Sequence, residues 1–151
     1  MRREKAMAEL HIFPNPLTAS GSFSATVNDN AGLPTNVIEA SLDFTVDCTW
    51  NIDAITASIL GGTWHVDLYA ESIGGGFEGR LAGTAVAVVP GQTNYAATIT
   101  VPANTLPNDP PVHPLNDDSS VYKLVVVLRH HNGAVTTSIT ALSDGPVVLV
   151  R

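Results

Sequence analysis

The chain has 151 residues, of which 44% are hydrophobic and only 14% charged, with a net charge of −7 and a single cysteine. One cysteine excludes a disulfide scaffold, and the acidic balance excludes a nucleic-acid binder that works through a basic surface. Ordinary apolar content with little charge argues against disorder, and the length suits one domain able to bury a core without staples.

The charge is unevenly placed. Arg2, Arg3 and Lys5 open the chain, and beyond them four basic residues stand against thirteen acidic ones. The start has the look of a signal-peptide n-region, but Glu9, His11, Pro14, Asn15 and Pro16 interrupt the apolar stretch that should follow. No run approaches the roughly 18 apolar residues of a membrane span. Residues 1–10 read as a flexible N-terminal tail, with Met7 a second candidate start beside Met1. Residues 11–151 read as one domain. Synthesis as a cytoplasmic protein is the expectation, and a virion or an exported assembly is a compatible destination.

In chain order, Gly21–Asn28 is the first strand and Asn30–Pro34 its closing turn. From Leu42 to Asp53, Leu42, Phe44, Val46, Cys48, Trp50 and Ile52 alternate with polar residues, which gives a strand one apolar and one wet face. Ala54–Leu60 is compatible with a short helical connector. After Gly61-Gly62, the segment Thr63–Glu71 alternates again: Trp64, Val66, Leu68 and Ala70 face in, while His65, Asp67, Tyr69 and Glu71 face out. Gly74-Gly75-Gly76 and Pro90-Gly91 punctuate the strand Arg80–Val89. Asn94–Val101 follows, then an irregular, proline-rich segment at 102–120. Val121–His130 and Ala134–Thr140 flank Asn132-Gly133, the strongest short hairpin signal. Pro146–Val150 is a short terminal strand or a continuation of the last one. About seven evenly punctuated strands predict an all-β, antiparallel sandwich, with a jelly roll or small barrel as the alternative.

The segment Asp118-Ser119-Ser120-Val121-Tyr122-Lys123-Leu124 resembles the start of strand F in immunoglobulin-like and fibronectin-III-like sandwiches. The resemblance implies that the Tyr122 hydroxyl bonds back to the preceding loop. It also implies that Leu124 takes the place of an antibody domain's second cysteine, with Cys48 on the opposing strand, and that Trp64 is the buried tryptophan of the next long strand.

Chemistry-bearing residues are sparse. Cys48 sits among Phe44, Val46 and Trp50, which suits a buried structural thiol rather than a nucleophile. His11, His65, His113, His130 and His131 lack zinc-site spacing, and the adjacent His130 and His131 point to opposite faces of a strand; all five read as exposed polar residues near strand ends. Asp29 in one loop, and Asp117 and Asp118 in another, are candidate calcium ligands, although Asp and Asn are also ordinary turn residues. No phosphate loop or nucleophile elbow is present, so a non-catalytic protein is expected.

Pro110, Pro111, Val112, His113, Pro114 and Leu115 form a candidate contact arm for another protein, stiffened by proline, with a stiff crossover between the sheets as the equal alternative. One outward face carries Asp43, Thr45, Asp47 and Thr49, with Asp67, Tyr69 and Glu71 expected on the neighbouring strand. With Trp50 and Trp64 inward, Tyr69 and Tyr95 are the aromatics left to meet a ligand, and at 6% aromatic content this counts against a lectin or sugar-binding module. The segments 81–89, 125–128 and 146–150 are apolar on both faces, as in strands that are covered twice or meet a partner. These features favour a non-catalytic module that self-associates or packs into a larger assembly (a filament, a phage-like or injection-machine component, or a surface layer). A binding or adhesion module for glycan or calcium is the alternative, and a small hydrolase on a sandwich is the third reading.

Overall fold

A computed structural model of the chain describes residues 8–9, 20–73, 77–106 and 120–151. The alternation read between residues 42 and 53 materialises as a strand whose odd and even side chains separate cleanly: Phe44, Val46, Cys48, Trp50 and Ile52 are buried, and the residues between them are not. Leu42 is the exception. It is exposed, because the strand starts two residues later, at Phe44.

In chain order the elements are β1 (Ala8–Glu9), β2 (Gly21–Asn28), β3 (Val37–Ile38), β4 (Phe44–Ile52), α1 (Ala54–Ile59), β5 (Thr63–Ser72), β6 (Gly79–Ala87), β7 (Asn94–Val101), β8 (Ser120–Asn132) and β9 (Val135–Val150). The expected last strand and the terminal segment are one strand, β9, which shifts register against β8 around Lys123 and Val125. The two-residue strands β1 and β3 carry no periodicity that a sequence could show.

Two sheets form. One has the order β1-β2-β4-β7 and the other β3-β9-β8-β5-β6; every pairing is antiparallel except β3 with β9. With β2, β4 and β7 in one layer and β5, β8 and β9 in the other, this is the arrangement of an immunoglobulin-like sandwich. Cys48 and Leu124 are both buried and belong to opposite sheets, as the resemblance implies. Tyr122 is fully buried near the start of β8, while Asp118 lies outside the described residues.

The layers meet through an aromatic cluster. Phe23, Trp50 and Tyr95 stand side by side in register across β2, β4 and β7. Trp64 and His130 pair across β5 and β8. Trp50 stacks on Tyr95 at 5.6 Å and meets Trp64 edge-on at 6.0 Å across the interior, and Trp64 also meets Tyr95 at 5.8 Å and His130 at 5.2 Å. Such contacts are worth about 0.5–1.5 kcal/mol each beyond the area they bury. Tyr95 was expected to be exposed. It is buried, and its hydroxyl exchanges hydrogen bonds with the backbone of Val89 (3.2 and 3.3 Å), tying the Pro90-Gly91 turn to the core.

Because β4 and β5 lie in different sheets, the expected continuous face of Asp43–Thr49 with Asp67, Tyr69 and Glu71 does not exist; the two sets lie on opposite outer faces. The chain reaches the second sheet through α1. Its N-cap is Asp53, whose carboxylate accepts from the Thr56 amide (2.8 Å), the Thr56 hydroxyl (2.7 Å) and the Ser20 amide (3.1 Å). Hydrogen bonds from Thr56 hold this carboxyl below its ordinary value of 3.8.

Trp50→Ala and Trp64→Ala are each expected to cost about 3–5 kcal/mol in urea unfolding, as fully buried aromatics do. Trp64→Phe should cost clearly less, because the Trp64 indole N–H has no hydrogen-bond partner among the described residues to lose. Asp53→Ala should cost about 1 kcal/mol near neutral pH, the usual loss for an N-cap. A carboxyl held low in the folded state stabilises above its unfolded value and loses that effect as pH falls through the folded one. The gap between wild type and Asp53→Ala should therefore shrink as pH drops below 3.8.

Candidate functional site

The two outer faces differ in what they leave unsatisfied. On the four-stranded sheet, polar side chains from adjacent strands pair laterally. Asp47 accepts from Asn28 Nδ2 and from the Thr98 hydroxyl (both 2.8 Å), Ser24 and Thr49 share a hydrogen bond of 2.8 Å, and Asn51 donates to Ser22 (2.7 Å). The face expected to be wet is thus closed on itself.

The outer face of the five-stranded sheet is built from rows set by register. Arg80, Tyr69, Val125 and Asp144 form one row, Gly83, Asp67, Val127 and Leu142 the next, and Ala85, His65, Arg129 and Thr140 the third. A bulge at Leu81 of β6, facing the Leu68–Tyr69 step of β5, brings Arg80 opposite Tyr69, the re-aiming of a side chain that such irregularities achieve. The Arg80 Nε donates to Asp67 Oδ1 at 2.8 Å. Gly83 makes this possible: a Cβ there would collide with the Asp67 carboxylate and the Arg80 guanidinium, so the pair lies flat over the glycine.

Beside that pair is a shallow depression of about 470 Å³, lined by Tyr69 and Glu71 of β5, Glu78 and Gly79 at the entry to β6, and Val125, Val127 and Arg129 of β8. Among the described residues, Glu71, Glu78 and Arg129 form no ion pair, and the Tyr69 hydroxyl makes no hydrogen bond. Tyr69 and the two valines are half-buried, and the three charged residues are exposed. The site therefore offers a partly apolar floor with an aromatic ring, ringed by both signs of charge. The sequence singles out Tyr69 and Glu71 as outward-facing and 125–128 as apolar on both faces, but neither Glu78 nor Arg129, and only strand pairing gathers these residues around one depression.

The remaining candidates fall elsewhere. Asp29 lines a second depression of about 360 Å³ at one end of the sandwich, with Thr35, Glu39, Asp43 and Arg151. Its carboxylate accepts from the amides of Ala31 and Leu33 (both 2.9 Å), Asp43 accepts from the Ala103 amide (2.7 Å), and Glu39 pairs with Arg151 (2.7 Å). These carboxylates are engaged in holding turns and the chain terminus. No group of three metal-ligating side chains occurs among the described residues. Asp117 and Asp118, and the arm Pro110, Pro111, Val112, His113, Pro114 and Leu115, lie outside the described residues.

Cys48 is buried as expected, and burial, with the neighbouring Asp47 charge, pushes its thiol up to about 12. A thiol at that value is neither a nucleophile nor a ready metal ligand at neutral pH. His130, expected to be exposed, is buried beneath Trp64. Its ring nitrogens contact the Thr137 hydroxyl (2.9 Å) and the Gly61 carbonyl (2.5 Å), so it is a satisfied core residue. His131 points outward and packs against His65, with ring centroids 4.1 Å apart. Desolvation, then the neighbouring His65, His130 and Arg129 charges, hold His131 below the ordinary histidine value. No helix among the described residues is long and apolar enough to cross a membrane.

No protein-family model and no curated protein sequence matches the chain. Among solved structures, the crystal structure of the C-terminal domain of wzt is similar to it, with a TM-score of 0.54 over 99% of this chain and 80% of that one, at 12% sequence identity. The likeness establishes a shared β-sandwich fold.

Proposed function

We propose that this chain is a glycan-binding module, with the depression around Tyr69 as its sugar site. The observation that carries this reading is the convergence of an aromatic ring with uncommitted carboxylates and a guanidinium on one rigid sheet. Sugars present an apolar C–H face and a rim of hydroxyls. The ring and the valines offer apolar contact to the first, and Glu71, Glu78 and Arg129 offer charge-assisted hydrogen bonds to the second. Ligand sites generally combine a largely apolar floor with a few convergent polar groups in this way. The fold shared with the C-terminal domain of wzt is compatible with the reading and does not carry it, since one fold hosts many functions.

A second reading, self-association, draws on a different part of the same face. Val37, Leu149, Val121 and Ile73 follow one another across β3, β9, β8 and the end of β5, and no further layer of described residues covers them. It predicts an oligomer in light scattering at micromolar concentration, and a strict monomer there removes it.

For the glycan reading, a glycan array followed by calorimetric titration of the best hit is the test. Tyr69→Ala and Arg129→Ala should each weaken binding about tenfold or more, about 1.4 kcal/mol, with melting unchanged. Binding that ignores both substitutions, or an array without a hit, overturns the assignment.

A further inference from the structure

We propose that His65 and His131 form a two-imidazole site for a divalent first-row transition cation, next to the Arg129 edge of the depression around Tyr69 but not using Tyr69. The two rings sit on β5 and β8, the central pair of the five-stranded sheet, and their centroids are 4.1 Å apart with a 46° tilt. The register places His131 opposite Thr63 and His65 opposite Arg129, so the histidines are diagonal neighbours on one face. A metal bound to two imidazoles at about 2.0–2.1 Å from each nitrogen holds those nitrogens about 3 Å apart, which these neighbouring rings meet by rotating about their side-chain bonds.

The backbone beneath them is paired on both sides: β5 lies between β6 and β8, and β8 lies between β5 and β9. The chelate is therefore pre-organised rather than assembled from loops. Neither ring has a hydrogen-bond partner among the described residues that a metal would have to displace. His130 differs: both its nitrogens are engaged in the core, so it is not a third ligand. Asp67, on the same strand face, is held by Arg80. Two protein nitrogens leave positions open for water or for an oxygen ligand from outside. Imidazole donors favour copper, nickel and zinc over magnesium and calcium, with copper bound most tightly.

The test is calorimetric titration of the whole chain with Cu²⁺ and with Ni²⁺ at pH 7.5, followed by the same titration of His65→Ala, His131→Ala and Asp67→Asn. The expected result is one site per chain, weakened at least tenfold by either histidine substitution and unchanged in Asp67→Asn. Circular dichroism should show all three variants folded, since each side chain is on the outer face. Binding that persists in the His65→Ala, His131→Ala double variant, or no saturable binding in the wild type, overturns the proposal. Because Tyr69→Ala leaves both imidazoles in place, metal binding should survive that substitution, which separates this site from the sugar site.

Discussion

The edge-on contact between Trp50 and Trp64 is the point at which the two sheets become one structure. Each tryptophan belongs to a different layer, and each is in turn held by its own sheet: Trp50 by Phe23 and Tyr95, Trp64 by His130. The cluster does more than fill space. Through Tyr95 it fixes the turn at Pro90-Gly91, and through His130 it fixes the Gly61 carbonyl at the start of β5. The cluster thereby ties the turns before β5 and before β7 to the interior.

The phasing of β5 determines the outer surface. With Trp64 inward, His65, Asp67, Tyr69 and Glu71 must face outward, because side chains in a strand alternate. What they meet there depends on neighbours supplied from far along the chain. Strand β8 brings Val125, Val127 and Arg129, and β6 brings Arg80 across a bulge. The opposite outer face obeys the same alternation with a different outcome. Its hydroxyls, amides and Asp47 lie within reach of one another across β2, β4 and β7 and bond laterally. The contrast between a closed polar face and an open mixed one is the physical basis for placing function on the five-stranded sheet.

Much of the fold was legible because its signals are local. β2 and β7 were read with their observed limits, and the helical connector emerged with Asp53 as its cap. Burial of Cys48, Trp50 and Trp64 followed from a period of two. The misreadings share a different cause. Tyr95 and His130 look like surface residues by type, yet each is buried with its polar atoms bonded to a turn backbone, Tyr95 to Val89 across its own turn and His130 to Gly61 from far along the chain. Tyr69 was legible as an outward aromatic, whereas the depression beside it was not.

The sequence by itself determined the alternating faces of β4 and β5, where the main turns fall and that the result is a two-layer β structure, because alternation and turn chemistry act over a few residues. Only the tertiary structure decided which strands share a sheet. It separated Asp43–Thr49 from Asp67–Glu71, joined His65 to His131 and brought Arg129 to the depression that Tyr69 lines. Pairing between strands is a long-range choice made by packing and backbone hydrogen bonding, and no short window of sequence carries it.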